Sequence, residues 1–161
     1  MAKKLSYRKA QQVCNELKAE GKTIIIKIGC FDILHIGHLK MFERCKKHAD
    51  ILIVAVGSDA VVKELKGETY FDEKNRAMML CAISLVDYVV ILRESDHTKL
   101  LKLIKPHYYN IPVDDGQSDI KLKMIKELSI TPMFDPNSMV INKDKVIEPH
   151  SGAIKKTYGK I

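Results

Sequence analysis

A chain of 161 residues with a formal net charge of +7 and 46% apolar residues has material for one hydrophobic core, so residues 1–161 are expected to form a single domain. Its apolar runs fall short of the roughly 20 residues that cross a bilayer, and no secretory core follows the lysine-bearing start, so no membrane contact is expected. Four widely spaced cysteines (Cys14, Cys30, Cys45, Cys81) form no C-x-x-C pair and read as reduced thiols of a cytoplasmic protein, not a disulfide framework or zinc site. The positive balance favours anionic ligands. Basic and aromatic residues are not interleaved as in RNA-binding sheets, so no nucleic-acid partner is expected.

Apolar residues at helical spacing, Leu5, Ala10, Val13 and Leu17, predict a first helix ended by Gly21. Ile24 to Ile28 is a β-branched run suited to a buried parallel strand. A helix over Ile36 to His48 follows, then a second buried strand, Ile51 to Val56. Ser58 and Asp59 cap a helix to Leu65. Lys66 to Tyr70 is a loop, and Asp72 caps a helix to Leu85. Tyr88 to Leu92 is a third strand, Ser95 or Asp96 starts a helix to Ile104, and Pro106 to Asn110 is a fourth strand. A helix over Ser118 to Leu128 and a fifth strand, Ile130 to Phe134, precede a weaker pattern with a short helix over His150 to Tyr158. Strands alternating with helices imply an α/β protein: a Rossmann-like, doubly wound parallel sheet of about five strands with right-handed crossovers.

Ligands of such sheets bind at the carboxyl ends of the strands. The first predicted strand ends at Gly29 and runs into Phe31-Asp32-Ile33-Leu34-His35-Ile36-Gly37-His38. Two histidines thus flank a glycine where a strand ends and a helix begins. Helix N–H groups and the helix dipole hold phosphate at such a junction, imidazoles add hydrogen bonds, and positive charge if protonated. Gly29 and Gly37 carry no Cβ to obstruct a ligand. The pattern points to phosphate chemistry.

Gly29-Cys30-Phe31-Asp32-Ile33-Leu34-His35-Ile36-Gly37-His38 resembles the Gly-x-Phe-Asp-x-x-His-x-Gly-His stretch of the cytidylyltransferase-like nucleotidyltransferases. The likeness continues through Asp50 to Val56, Ser58-Asp59, Leu65-Lys66-Gly67, Arg76 and Val86 to Val90. The helix before the first strand is similar to that of the adenylyltransferase domain of ADP-heptose synthases, while Tyr70, ahead of Arg76, is similar to the glycerol-phosphate cytidylyltransferases. The resemblance implies that a phosphorylated small molecule, with a sugar phosphate favoured over a polyol or amino-alcohol phosphate, attacks the α-phosphorus of ATP or CTP. Pyrophosphate leaves, Mg²⁺ accompanies the nucleotide, and no protein-bound metal is implied. It implies catalytic roles for His35, His38, Lys66 and Arg76. It also implies nucleotide contacts from Gly29, Cys30, Phe31, Asp32, Gly37, Asp114, Ser151 and Gly152. Asp32 would orient a histidine or stabilise the turn, and Arg76 would hold a phosphate or pair with Asp72 or Glu73 on the surface. A homodimer is implied, with segment 137–161 covering the active site.

Two segments depart from the family pattern. Asn110-Ile111-Pro112-Val113-Asp114-Asp115-Gly116 keeps an aspartate pair without the glycines before it. His150-Ser151-Gly152-Ala153-Ile154 keeps one hydroxyl of a Ser-Thr-Thr signature, with Lys155 and Lys156 following as replacement charge. These departures raise a second reading, a nucleotide-binding module without turnover. A third, a class I aminoacyl-tRNA synthetase fragment, shares the letters at 35–38 but lacks a Lys-Met-Ser-Lys-Ser-like stretch. A zinc site on His35 and His38 lacks evident further ligands.

Overall fold

Long β-branched runs determine the architecture, because strands buried on both faces must be apolar throughout. The computed structural model describes residues 1–112 and 118–135. The elements are β1 (Lys3–Leu5), α1 (Tyr7–Ala19), β2 (Ile24–Gly29), α2 (Ile36–His48), β3 (Ile51–Gly57), α3 (Asp59–Lys66), α4 (Glu73–Cys81), β4 (Tyr88–Leu92), α5 (Thr98–Ile104), β5 (Tyr108–Pro112), α6 (Ser118–Glu127) and β6 (Thr131–Asp135). The strands form one six-stranded sheet in the order β1-β4-β3-β2-β5-β6, and every pairing is parallel. This is the expected doubly wound α/β fold.

Side-chain alternation along each strand divides the core into two layers. Ile24, Ile26, Ile53, Ala55 and Val90 pack with Ala10 and Cys14 of α1, Leu100, Leu101 and Ile104 of α5, and Ile125 of α6. Ile25, Leu52, Val54, Val56 and Val89 pack on the opposite face with Met41, Phe42 and Cys45 of α2 and Ala77 and Leu80 of α4. The helix between β2 and β3 therefore lies on one face, and the helices flanking β5 lie on the other. The chain changes direction across the sheet between β2 and β5, which opens a crevice beyond their carboxyl ends.

Local chemistry sets the helix boundaries. Ser58 Oγ accepts the Val61 N–H at 3.3 Å, and Asp72 Oδ1 accepts the Asn75 N–H at 2.7 Å, each satisfying an otherwise unpaired donor. Lys46, Lys47 and His48 close α2 and complement its dipole. Where the sequence implies about five strands, the described residues form six. Leu5 belongs to β1, whose Lys3, Lys4 and Leu5 pair with Tyr88, Val89 and Val90. The helix expected over 72–85 stops at Cys81, and the strand expected over 106–110 lies at 108–112. The four cysteines are free thiols. Burial holds the Cys45 thiol up at about 12 and the Cys14 thiol up at about 11, so both stay protonated at neutral pH. Among the described residues no helix is long and apolar enough to cross a membrane.

Phe42 is fully buried between α2 and the sheet, whereas Met78 on α4 is 62% exposed. Phe42→Ala is expected to destabilise the protein by about 3–5 kcal/mol in chemical denaturation. Within the monomer, Met78→Ala should stay within about 0.5 kcal/mol of the parent.

Candidate active site at the carboxyl edge of the sheet

The turn leaving β2 is shaped by one tight contact. Phe31 adopts φ +49°, a left-handed conformation unusual for a side-chain-bearing residue. Its ring lies over Gly29, where a Cβ would sit 3.0 Å from the ring. Gly29 thus makes room for the Phe31 ring. The Phe31 ring also touches His38, at 5.3 Å between centroids, and Phe42, at 5.8 Å. The strained turn is therefore held in place by the core.

His35 is the N-cap of α2. Its carbonyl accepts the His38 N–H at 2.9 Å, and its N–H donates to His38 Nδ1 at 3.3 Å. The two rings lie 3.9 Å apart between centroids. The second bond makes Nδ1 an acceptor, so neutral His38 carries its proton on Nε2. Burial pushes the His38 imidazolium down to about 3, reinforced by His35, Lys27 and Lys66. His38 is consequently a neutral hydrogen-bond donor near pH 7. The positive charge allowed for from the sequence must come from elsewhere. Gly37 is buried in the first turn of α2, beside the helix N–H donors.

Lys66 is the last residue of α3, not part of the loop after it. It is exposed, and its charge reaches His38. Asp32, 7% exposed, accepts the Tyr70 N–H at 2.9 Å and the Phe71 N–H at 3.2 Å. It ties the turn after β2 to the segment following Lys66, which fits the turn-stabilising alternative read from the sequence.

Arg76 forms neither of the surface ion pairs, with Asp72 or Glu73, that were the alternative to a phosphate contact. It is 1% exposed. Its Nη1 donates to the carbonyls of Cys30 and Gly57, each at 2.7 Å, its Nε to Phe71 O at 2.9 Å, and its Nη2 to Asp59 Oδ1 at 2.7 Å. Asp72 caps α4 instead, and Glu73 pairs with Arg93 at 2.6 Å. The Arg76 guanidinium thus joins the ends of β2 and β3 to the start of α3 and the residue before the α4 cap. The Cys30 carbonyl serves this clamp.

The carboxyl edge therefore gathers Gly29, Cys30, Phe31, Asp32, His35, Gly37, His38 and Lys66, with Arg76 beneath them. Asp114, Ser151, Gly152 and the segment 137–161 lie outside the described residues. Reading the sequence missed Asp59 as the Arg76 partner. It also missed Lys27, which is only 7% exposed and whose signal was one charge inside an isoleucine run. Neutral donors, helix N–H groups and nearby lysines suit an anionic group that gains charge in a reaction.

Arg76→Met is expected to destabilise the protein by about 3–5 kcal/mol, because it strands three carbonyls and one carboxylate. Arg76→Lys should restore little of this in thermal melts, lacking the planar fork. His38 binds a proton more readily unfolded, near 6.5, than folded, near 3. Its contribution is complete above about pH 6.5 and is lost as pH falls toward 3, at up to about 1.4 kcal/mol per pH unit. Urea unfolding across that window should show a shallower slope in His38→Asn than in the parent.

The family profile described as cytidylyltransferase-like matches residues 26–150. The chain is 35% identical over 136 residues to the bifunctional protein HldE of Aliarcobacter butzleri (83% of this chain, 29% of the relative). It is 44% identical over 91 residues to that of Geobacter metallireducens (55% and 19%). It thus spans less than a third of these relatives. A crystal structure of the lipopolysaccharide core biosynthesis protein of Thermoplasma volcanium shares the fold at TM-score 0.63 and 28% identity, covering 71% of this chain and 94% of that one. A Francisella tularensis pantoate–β-alanine ligase is similar in fold alone, at TM-score 0.63 and 14% identity, covering 84% of this chain and 67% of that one. The chain belongs to the cytidylyltransferase-like family of nucleotidyltransferases.

Proposed function

We propose that this protein transfers AMP or CMP from ATP or CTP to a phosphorylated small molecule, favouring a sugar phosphate, and releases pyrophosphate. The observation that carries this reading is the pairing of His35 and His38 at the N-terminus of α2, beside Lys66. An acceptor phosphate oxygen attacks the α-phosphorus in line, and the bond to the bridging oxygen of pyrophosphate breaks. Negative charge builds on the α-phosphoryl oxygens and the leaving group. His38 Nε2–H and the α2 N–H groups donate to those oxygens, and the Lys66 ammonium offsets charge on the departing phosphates. A neutral His38 keeps its proton through the step, so it acts by hydrogen bonding, not as an acid.

Among the described residues no group of three or more His, Cys, Asp or Glu is placed to hold a metal ion. Asp32 and Asp59 are engaged by Tyr70, Phe71 and Arg76. On this reading Mg²⁺ would be carried on the nucleotide's phosphates, where it would neutralise charge. The likeness to bifunctional HldE proteins and to a lipopolysaccharide core biosynthesis protein supports a sugar-phosphate acceptor. Exposed Met78 and Met79 on α4 support a homodimer through that face.

The test measures pyrophosphate release with ATP or CTP against phosphorylated sugars, polyols and amino alcohols. Release with a sugar phosphate, cut about 10²- to 10³-fold in kcat by His38→Ala, is the expected result. Tight nucleotide binding with no release on any acceptor would replace this reading with a binding module.

A further inference from the structure

β2 and β5 are adjacent in the sheet although β3 and β4 lie between them in the chain. The crevice beyond their carboxyl ends is where a doubly wound sheet receives its ligand. Lys27 of β2 and Asn110 of β5 are register partners across this boundary. Both are buried, at 7% and 1% exposure. Alternation from Ile25, which packs with Phe42 and Cys45, puts Lys27 on the α2 face, the side that carries His38. Its charge is felt at both His38 and Cys45.

An ammonium in a strand of isoleucines is costly to desolvate, and an aliphatic side chain would serve packing better. The Lys27 ammonium donates to the Asn110 carbonyl at 3.4 Å. The Asn110 amide nitrogen meets Met133 Sδ at 3.8 Å, while its Oδ1 is buried without a hydrogen-bond partner. A satisfied structural asparagine would use that oxygen. An unpaired buried acceptor and a buried cation thus sit on register-paired residues of the two strands that border the crevice, with the cation within electrostatic reach of His38.

We propose that Lys27 and Asn110 form a substrate subsite, in which Lys27 holds a phosphate group and Asn110 Oδ1 accepts from a hydroxyl of the same ligand. This rests on the nucleotidyltransferase reading and adds to it a specificity pair. The phosphate belongs either to the nucleotide or to the acceptor, and both present the same chemistry to an ammonium.

Isothermal titration of the full chain with ATP, CTP, pyrophosphate, inorganic phosphate and ribose 5-phosphate tests the proposal. It compares the parent with Lys27→Met, Lys27→Gln and Asn110→Leu. Lys27→Met is expected to weaken at least one phosphate probe by about 10- to 100-fold. Asn110→Leu should weaken hydroxyl-bearing probes and spare inorganic phosphate and pyrophosphate. Loss confined to ATP, CTP and pyrophosphate assigns the subsite to the nucleotide; loss confined to inorganic phosphate and ribose 5-phosphate assigns it to the acceptor. Unchanged affinities in both Lys27 variants overturn the subsite while leaving the nucleotidyltransferase reading intact. A parent that binds no probe overturns both. If the Lys27 variants do not fold, the assigned Lys27 side-chain resonances of the parent decide: movement on titration supports the subsite, and no movement with any probe overturns it.

Discussion

Parallel strands leave their last carbonyls pointing at the edge where doubly wound sheets receive their ligands, and those carbonyls need donors. Arg76 supplies them from within the protein. Its Nη1 takes the carbonyls of Cys30 and Gly57 together, so the ends of β2 and β3 are held at a fixed spacing. Its Nε and Nη2 reach Phe71 and Asp59, and Asp59 N–H in turn donates to Glu73, which pairs with Arg93 after β4. One buried guanidinium thus sets the relation between the turn that carries the histidines and the helix that ends in Lys66. The planar fork suits this task because its donors diverge in fixed directions.

The same economy governs the electrostatics. Imidazolium at His38 would add positive charge close to Lys27 and Lys66, and burial makes that costly. The site therefore separates two duties. Lysines carry charge, and His38 supplies a directed, neutral donor whose orientation is fixed by the His35 N–H. A helix N-terminus adds further donors at no cost in mobility. Preorganised donors of this kind have little reorganising to do as charge develops on phosphate.

Much of this frame was legible in the residues. The β-branched run at 24–28 and the helix at 36–48 occur where periodicity put them, because both are long and their burial is uniform. β1 was not legible: three residues are too few for a period, and Leu5 fell in phase with Ala10 and Val13. Its existence depends on pairing with Tyr88 to Val90, more than eighty positions away. Arg76 was visible as a residue but not as a clamp, since its partners are main-chain carbonyls 46 and 19 positions away. Lys27 was obscured for a related reason: a strand reads as buried from its isoleucines, and only the sheet order shows that this strand borders the crevice.

Gly29 and Phe31 are better regarded as one unit than as two positions. Any side chain at 29 displaces the Phe31 ring, which is 3.0 Å from where its Cβ would be. That ring also borders His38. A change at 29 is thereby transmitted to the aim of an imidazole nine residues on, without touching either histidine. Variation in this turn is therefore expected to be concerted, with 29, 31 and 38 changing together or not at all. The spacing of the motif records a packing arrangement as well as the groups proposed to meet the substrate.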